Sequence, residues 1–161
     1  MIRKGEIRDA KAINEIYSKY ITDTSITFET ETLSDEEMLS RIKELKAEGP
    51  YLIYEENGVL LGYCYAHPWK SRAAYSKTFE TTVYLSPENK GRGIGTKLMK
   101  RLISECRQHG IHALIACITA GNEESNHLHE KLGFKQVSRF EQVGMKFDNW
   151  LDVVDYELII E

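Results

Sequence analysis

The segment Thr78–Leu98, TFETTVYLSPENKGRGIGTKL, constrains the possible folds of this chain more than any other. Apolar and polar residues alternate up to Leu85, so a strand here would place its larger apolar side chains on one face and Glu80 on the other. A Ser-Pro pair ends that pattern. An apolar stripe with helical spacing then begins at Ile94, within a run of glycines. The segment therefore predicts a strand, a glycine-rich turn and an amphipathic helix in direct succession.

The glycines of this turn predict an anion site. Glycine permits positive φ and close approach to the backbone, and the first N–H groups of a helix attract anions. The spacing of Gly91, Gly93 and Gly95 matches neither the phosphate loop of nucleotide hydrolases nor the dinucleotide fingerprint, because Thr96 or Leu98 stands where a further glycine is required. The alternative is that the three glycines form only a tight connection.

Length and charge indicate one domain without a nucleic-acid or membrane partner. We place the domain at residues 1–161, a length that buries roughly 70% of the unfolded surface. The 21 basic and 25 acidic residues give a pI near 5.8, so there is no overall positive field for nucleic acid or an anionic membrane. The first residues lack an apolar signal core, and no apolar run approaches the ~20 residues of a membrane span. We expect a soluble, unprocessed protein.

The cysteines and histidines do not predict a metal site. Cys64, Cys106 and Cys117 are odd in number and each lies in an apolar run, so we expect reduced core residues, not disulfide partners or metal ligands. His127 and His129 would face different ways on a helix, which argues against a shared metal ion. Reduced cysteines favour a cytoplasmic protein.

Hydrophobic periodicity predicts a mixed sheet of about six to seven strands with about four helices, in the order β-α-α-β-β-β-α-β-α-β-β. Asn57-Gly58 is a strong hairpin signal, and a helical crossover should make the strand at 113–118 parallel to the strand before it. The fold class is therefore α/β with an antiparallel first half. Besides the segment described above, the predicted strands are Ile2–Ile7, Tyr51–Tyr54, Val59–Ala66, Ala113–Ile118, Phe134–Phe140 and Val153–Ile160, and the helices run from Asp9 to near Thr22, from Ser34 to about Lys46 and over Ser125–Leu132, with Gly133 as a left-handed cap.

Lys90-x-x-Gly93-x-Gly95 resembles the acyl-CoA pyrophosphate loop of the GNAT N-acetyltransferase superfamily. Further motifs, spread over nearly the whole chain, resemble the phosphinothricin N-acetyltransferases of that superfamily. Packing alone would not require Trp-x-x-Arg-x-x-Tyr in a polar connection, so this set is more specific than the glycine turn. The motifs are Thr27-Phe28-Glu29, Gly62-Tyr63 to Ala66, Pro68-Trp69, Arg72-Ala73-Ala74-Tyr75, Glu80-x-Thr82-Val83-Tyr84, Asn122, Ser125, Leu128-His129-Glu130, Leu132-Gly133-Phe134, Gly144-x-Lys146 and Trp150-x-Asp152-Val153.

The resemblance implies a single-domain GNAT fold, a homodimer, and acetyl-CoA as co-substrate. That family, with its methionine sulfoximine acetylating relatives, moves an acetyl group to the α-amine of small amino-acid analogues. It also implies that a backbone N–H near Tyr84 or Leu85 binds the oxyanion. Lys90 stands where Arg or Gln is more usual, which keeps the charge but loses bidentate geometry. The residues expected to bind the coenzyme are Val83, Tyr84, Leu85, Lys90, Gly91, Arg92, Gly93, Ile94, Gly95, Thr96 and Asn122.

Acyl transfer to a mostly protonated α-amine requires a base, and Glu80 is the candidate because it projects from the strand that leads into the glycine turn. In the resembled family the carboxylate at this position is the proposed base, directly or through water. His129 is the candidate acid for the leaving thiolate. Each residue also has an ordinary interpretation: a half-solvated carboxylate for Glu80, a packed or solvated histidine for His129, and a turn or helix cap for Asn122.

For the acceptor, Arg72 could pair bidentately with an α-carboxylate while Tyr75 adds a hydroxyl. Phe28, Trp69 and Tyr84 could wall the side-chain pocket, and Glu29 belongs to the same motif as Phe28. The alternative for Arg72 is a solvated basic turn. The aromatic residues could equally belong to the core or to a dimer interface.

Together with these residues, the resemblance implies an acetyl-CoA-dependent N-acetyltransferase that acts on a small amino-acid analogue. We expect direct attack in a ternary complex, since no cysteine has a recognisable nucleophile setting. Two alternatives stay open. The same fold could acetylate a protein N-terminus, a polyamine or an aminoglycoside, although Arg72 favours a carboxylate-bearing acceptor. The other alternative is a non-catalytic acetyl-CoA sensing module, against which Glu80 and His129 together weigh.

Overall fold

Among the described residues 1–160, seven strands form one mixed sheet and four α-helices cover it in the computed structural model. The strands are β1 (Ile2–Lys4), β2 (Tyr51–Glu56), β3 (Val59–Pro68), β4 (Thr78–Leu85), β5 (Ala113–Thr119), β6 (Lys135–Lys146) and β7 (Asn149–Ile159), and the helices are α1 (Ala10–Asp23), α2 (Asp35–Glu48), α3 (Ile94–Gln108) and α4 (Glu123–Lys131). The strand order is β1-β2-β3-β4-β5-β7-β6, so β6 forms one edge. The predicted α/β class and element order are confirmed. Glu161, the last residue of the predicted domain, lies outside the described residues.

The sheet packs against helices on both faces. Leu98 and Leu102 of α3 are fully buried against one face, together with Leu114 of β5. On the other face, Ile13 of α1 and Ile42 of α2 are equally buried. Each such aliphatic side chain stabilises the fold by about 1.5–3 kcal/mol. Within residues 1–160, no helix combines the length and apolar character that crossing a membrane requires.

Local signals in the sequence locate several element ends correctly. Ser34 Oγ accepts the Glu37 N–H at 3.1 Å where α2 begins. Asn57 and Gly58 have φ values of 52° and 78° in the tight turn between β2 and β3. Gly133 follows α4 with a φ of 97°. The predicted parallel pairing of β4 with β5 is also confirmed.

Asp9 precedes α1 as predicted, but its carboxylate does not cap that helix. It accepts hydrogen bonds from the Arg3 guanidinium at 2.9 and 2.8 Å and from the Glu6 N–H at 2.8 Å. Burial acts to raise the pKa of Asp9, yet these hydrogen bonds hold it below its ordinary value. Asp9 therefore ties the start of α1 to β1.

The C-terminal hairpin is longer than the sequence predicts. Apart from their end residues Phe134 and Ile160, the predicted strands Phe134–Phe140 and Val153–Ile160 lie within β6 and β7, which continue to a tight turn at Phe147 and Asp148, with φ values of 52° and 59°. The added residues are largely exposed, and Trp150 retains 60% of its accessible surface. Because few residues of this part are covered, Gly144 and Lys146 among them, its sequence lacks the alternation of a half-buried strand.

β4 and β5 are paired where they begin and separate further along. Parallel pairing joins only Thr78–Glu80 to Ala113–Ile115, although β4 continues to Leu85 and β5 to Thr119. Backbone groups of residues 81–85 that face β5 therefore have no strand partner. This opening lies where the family resemblance implies a donor for an oxyanion.

Candidate active site

A cleft of about 640 Å³ occupies the opening between β4 and β5. It is lined by the glycine turn before α3, by the separated strands, and by side chains of α1, α4 and the loop between α1 and α2. Both predicted catalytic residues, Glu80 and His129, line it. The structure thus brings the glycine turn, the candidate base and the candidate acid into one cavity.

The glycine turn presents an open backbone to this cleft. Gly91 and Gly93 have φ values of +79° and +77°, in the left-handed region that disfavours a side chain. A Cβ atom at either glycine would meet no protein atom within 4 Å. α3 begins directly after Gly93, whose carbonyl oxygen accepts the Lys97 N–H. The turn therefore leaves room for an anionic group at the N-terminus of α3.

Side chains near the turn divide between the cleft, the outer surface and the core. Lys90 lines the cleft, with Nζ 3.5 Å from Glu124 Oε2. Arg92 instead donates to both carboxylate oxygens of Glu56, at 3.0 and 2.8 Å, and Ile94 is buried in the core. Of the predicted coenzyme-binding residues, those that line the cleft are Val83, Tyr84, Leu85, Lys90, Gly91, Gly93, Gly95, Thr96 and Asn122, whereas Arg92 and Ile94 do not.

Asn122 has the helix-cap role that was weighed as its alternative. Its Oδ1 accepts the Ser125 N–H at 3.4 Å where α4 begins. The residue also lines the cleft, so a coenzyme contact stays a prediction beside the cap.

Thr81 supplies an additional polar group that the sequence analysis misses. The residue is 6% exposed and lines the cleft, and its Oγ1 has no hydrogen-bond partner within residues 1–160. A buried hydroxyl without a partner costs about 1–3 kcal/mol. A ligand in the cleft that pairs with this hydroxyl would recover that cost, so the cavity fits an occupant with polar groups.

His129 lies in the cleft wall with 3% of its surface exposed. Its Nδ1 is 2.7 Å from the Ser125 carbonyl oxygen, which can only accept, so Nδ1 carries the hydrogen. Burial lowers the pKa of His129, and the ring is therefore neutral at neutral pH with Nε2 as an acceptor. A ring in this state must gain a proton before it can act as an acid. The acid role stays a prediction.

Glu80 projects into the cleft from the sheet face opposite Val83 and Leu85. Its direct cross-strand neighbour is His67 of β3, and His67 Nε2 lies 3.5 Å from Glu80 Oε2. The interaction with Glu80 raises the pKa of His67, against the opposing effect of burial. Sequence reasoning misses His67 because only the register between β3 and β4 brings it to Glu80.

Cys117 is not the core residue that the sequence predicts. It is exposed within the cleft, because side chains alternate along β5 and this one faces away from the core under α3. Partial desolvation inside the cleft, with smaller effects of Asp155 and Glu80, raises the pKa of the Cys117 thiol to about 12. The thiol is therefore protonated at neutral pH. Cys64 and Cys106 are buried as predicted, and no cluster of His, Cys, Asp and Glu suited to a metal ion occurs within residues 1–160.

Phe28 lines the cleft and is held by the C-terminal hairpin. A Cβ atom at Gly144 would lie 2.3 Å from the Phe28 ring, so glycine lets β6 pack directly on the ring. Beside it, the buried Lys146 donates from Nζ to the Thr27 carbonyl oxygen at 2.9 Å. Burial lowers the pKa of Lys146. The hairpin therefore shapes the part of the cleft that Phe28 lines.

Glu29, a predicted acceptor-binding residue, is engaged within the protein. Arg41 donates two hydrogen bonds to its carboxylate at 2.8 and 2.9 Å, and the Tyr17 hydroxyl donates a third. The hydrogen bonds from Arg41 lower the pKa of Glu29 most, against the effect of burial. Glu29 is not among the residues that line the cleft, whereas Tyr17 is. The structure therefore places Glu29 behind the cleft wall, as a support for Tyr17.

The connection between β3 and β4 carries Trp69, Arg72 and Tyr75, and none of these lines the cleft. Arg72 is exposed. The rings of Trp69 and Tyr75 meet edge to face with centroids 5.3 Å apart, and Lys70 Nζ lies 4.3 Å from the Trp69 ring centroid. Of the predicted acceptor residues, Phe28 and Tyr84 reach the cleft within residues 1–160, and the roles of all of them stay predictions.

Comparisons with known proteins agree with this geometry. The sequence model of the acetyltransferase (GNAT) domain family matches residues 2–154. The chain is 36% identical over 161 residues to an L-methionine sulfoximine/L-methionine sulfone acetyltransferase of Salmonella typhimurium, covering 99% of this chain and 94% of that protein. It is 35% identical over 160 residues to a phosphinothricin N-acetyltransferase of Streptomyces coelicolor, covering 97% and 94%. A phosphinothricin acetyltransferase of Sinorhizobium meliloti, solved in complex with acetyl-CoA, superposes with a TM-score of 0.95 at 31% identity, covering 99% of this chain and 88% of that one.

The chain belongs to the GNAT acetyltransferase domain family. Within that family it is an acetyl-CoA-dependent N-acetyltransferase. The family resemblance that the sequence motifs indicate is thereby confirmed, over nearly the whole chain.

Proposed function

We propose that this N-acetyltransferase transfers the acetyl group of acetyl-CoA to the α-amine of a small amino-acid analogue of the phosphinothricin or methionine sulfoximine type. The observation that carries the proposal is that Glu80 lines the same cleft as the open glycine turn, where β4 and β5 separate. Relatives named for these two acceptors share 36% and 35% of their residues with this chain over nearly their full length.

The residues around the cleft suit acetyl-CoA, which would supply the acetyl thioester. The N–H groups of the glycine turn and the Lys90 ammonium bind its diphosphate. Asn122 and Thr81, which also line the cleft, offer polar groups to the rest of the coenzyme.

Glu80 takes a proton from the acceptor's ammonium group, because only the free amine has a lone pair for attack. The new C–N bond forms as the C–S bond of the thioester breaks. Backbone N–H groups of residues 81–85 that face the gap are available to the negative charge that develops on the carbonyl oxygen.

Direct attack in a ternary complex is part of the proposal. Cys117 is the one cysteine that lines the cleft within residues 1–160, and its raised pKa keeps it a thiol. A protonated thiol is a poor nucleophile. No covalent acetyl-enzyme is therefore expected on the path to product.

A homodimer in the cytoplasm completes the proposal. β6 lies at the sheet edge, and the hairpin exposes large apolar side chains that a second copy would cover. The free thiols support a reducing compartment. Light scattering should report a dimer for the wild type and a monomer for Val143→Lys. The exposed apolar residues of the hairpin are Val137, Phe140, Val143, Met145, Phe147, Trp150 and Ile159.

A thiol-release assay over a panel of amines tests the acceptor class. We expect release with phosphinothricin and methionine sulfoximine, and none with a polyamine, an aminoglycoside or a peptide N-terminus. Release only with the second group would move the acceptor to that group. If calorimetry showed acetyl-CoA binding but no amine released thiol, the chain would be a sensing module instead.

A further inference from the structure

His67 is the neighbour of Glu80 that lies outside the cleft. The register between β3 and β4 sets the two side chains opposite each other on one sheet face, with Nε2 and Oε2 3.5 Å apart. Glu80 lines the cleft and His67 does not, while the His67 side chain keeps 27% of its accessible surface. The pair therefore links the cleft to solvent by a route that ligands in the cleft would not cover.

The His67 ring is held in the orientation that such a link needs. Its Nδ1 lies 3.0 Å from the Pro68 carbonyl oxygen, which can only accept, so Nδ1 carries a hydrogen. In the neutral ring, the lone pair of Nε2 is then on the nitrogen that faces Glu80. A hydrogen bond at the second nitrogen is the usual device that fixes the tautomer of a functional histidine.

Of the charged and titratable groups around this pair, His67 and Glu80 are the two that exchange a proton at neutral pH. His67 faces Glu80, Glu48 of α2 and the Tyr65 ring, whose centroid is 6.0 Å away. The charge of Glu80 also contributes to raising the pKa of Tyr65 and of Cys117 of β5. Desolvation raises the pKa of both Tyr65 and Cys117, so both stay neutral at neutral pH.

Each turnover at neutral pH leaves one proton that must depart. The acceptor's ammonium loses one proton to Glu80, and the attacking nitrogen loses a second as the amide forms. The second proton ends on the departing thiolate, which becomes a thiol. The first proton is still on Glu80, and the bound substrates cover the side of Glu80 that faces the cleft. The titratable neighbour of Glu80 outside the cleft is His67.

We propose that His67 is a positioning residue that holds the Glu80 carboxylate toward the cleft, accepts its proton at Nε2 and passes that proton to solvent. This inference rests on the proposed function. Through His67, Glu80 can return to its ionised form while the substrates still occupy the cleft.

The test compares the wild type with His67→Gln and with the control His109→Gln. His109 is an exposed histidine whose Nδ1 lies 2.7 Å from the Glu105 carbonyl oxygen, at the end of α3. At low buffer concentration, His67→Gln should lower kcat about tenfold, less than the ~10²–10⁴ typical of a group that itself exchanges a proton with the substrate. Added imidazole should restore most of the loss, with the KM for acetyl-CoA unchanged. The wild type and His109→Gln should not respond to imidazole.

The outcomes separate this inference from the proposed function. An active wild type with an unaffected His67→Gln, or a loss that imidazole does not restore, overturns the relay and leaves the function standing. A wild type that transfers no acetyl group overturns both. As a check on pairing without turnover, NMR titration should show the pKa of His67 falling toward 6.5 in Glu80→Gln. An unchanged pKa would mean that the two residues do not interact.

Discussion

In the proposed function, the coenzyme side and the acceptor side of the cleft are built in different ways. The coenzyme side is one short segment, where Gly91 and Gly93 expose backbone at the start of α3. The acceptor side combines side chains that are far apart in the chain, and Lys146 bonds to Thr27 across 119 residues. The first depends on backbone conformation and the second on tertiary packing. Substitutions on the coenzyme side should therefore change the KM for acetyl-CoA, and those on the acceptor side should change the acceptor KM.

Glu80→Gln, at the junction of the two sides, should have the largest effect. Glutamine keeps the shape but cannot accept the proton, so kcat should fall by about 10²–10⁴-fold at neutral pH. Calorimetry should show acetyl-CoA binding close to that of the wild type. A pH–rate profile that matches the wild type would remove Glu80 from the base role.

Gly93→Ala should damage the coenzyme side alone. A side chain at φ +77° costs about 1–2 kcal/mol and stands in the space left for the anion, so the KM for acetyl-CoA should rise about tenfold or more. Gly58→Ala is the matched control, since Gly58 has a φ of +78° and equally open surroundings in the hairpin between β2 and β3. Both variants should lose similar thermal stability. An equal change in KM would show that backbone strain alone explains the effect.

Gly144→Ala should damage the acceptor side with a smaller effect. The new Cβ would push the Phe28 ring from its place, at a cost of about 1–3 kcal/mol for overpacking, and the acceptor KM should rise severalfold. Gly5→Ala, whose Cβ would lie 2.7 Å from the Tyr51 ring, is the control for crowding an aromatic ring. Steady-state kinetics should show a normal KM for acetyl-CoA in both variants. A raised acceptor KM in Gly5→Ala would point to general loosening of the fold.

Substituting His67 or His129 should give the smallest effect, and the two substitutions should change stability with pH in opposite directions. The pKa of His67 is raised above 6.5, so its contribution to stability is complete below pH 6.5 and is lost as pH rises through the raised pKa. The pKa of His129 is lowered, so its contribution is present above pH 6.5 and is lost as pH falls through the lowered pKa. Melting temperatures of His67→Gln and His129→Gln, each relative to the wild type, should therefore diverge in opposite directions across this range. Parallel curves would contradict the assigned environments.

The part of the site that the sequence predicts is the part that is local in the chain. The strand, the glycine turn and α3 follow one another, so the direction of Glu80 and the opening at Gly93 follow from alternation and φ preferences. His67 and Cys117 could not be found in this way, because the register of β3 and the separation of β4 from β5 decide what they face. Arg72 shows the converse, since a motif located it but the fold leaves it outside the cleft.

The open backbone at Gly91 and Gly93 has a consequence for engineering this protein. In the proposed function, main-chain amides of this turn and residues near it bind the coenzyme, so the segments near Phe28 and Gly144 can be redesigned without changing coenzyme binding. Libraries confined to residues 24–33 and to the outer half of the hairpin would then alter which amines are accepted. The glycine turn would keep binding the coenzyme while the residues that contact the acceptor are varied.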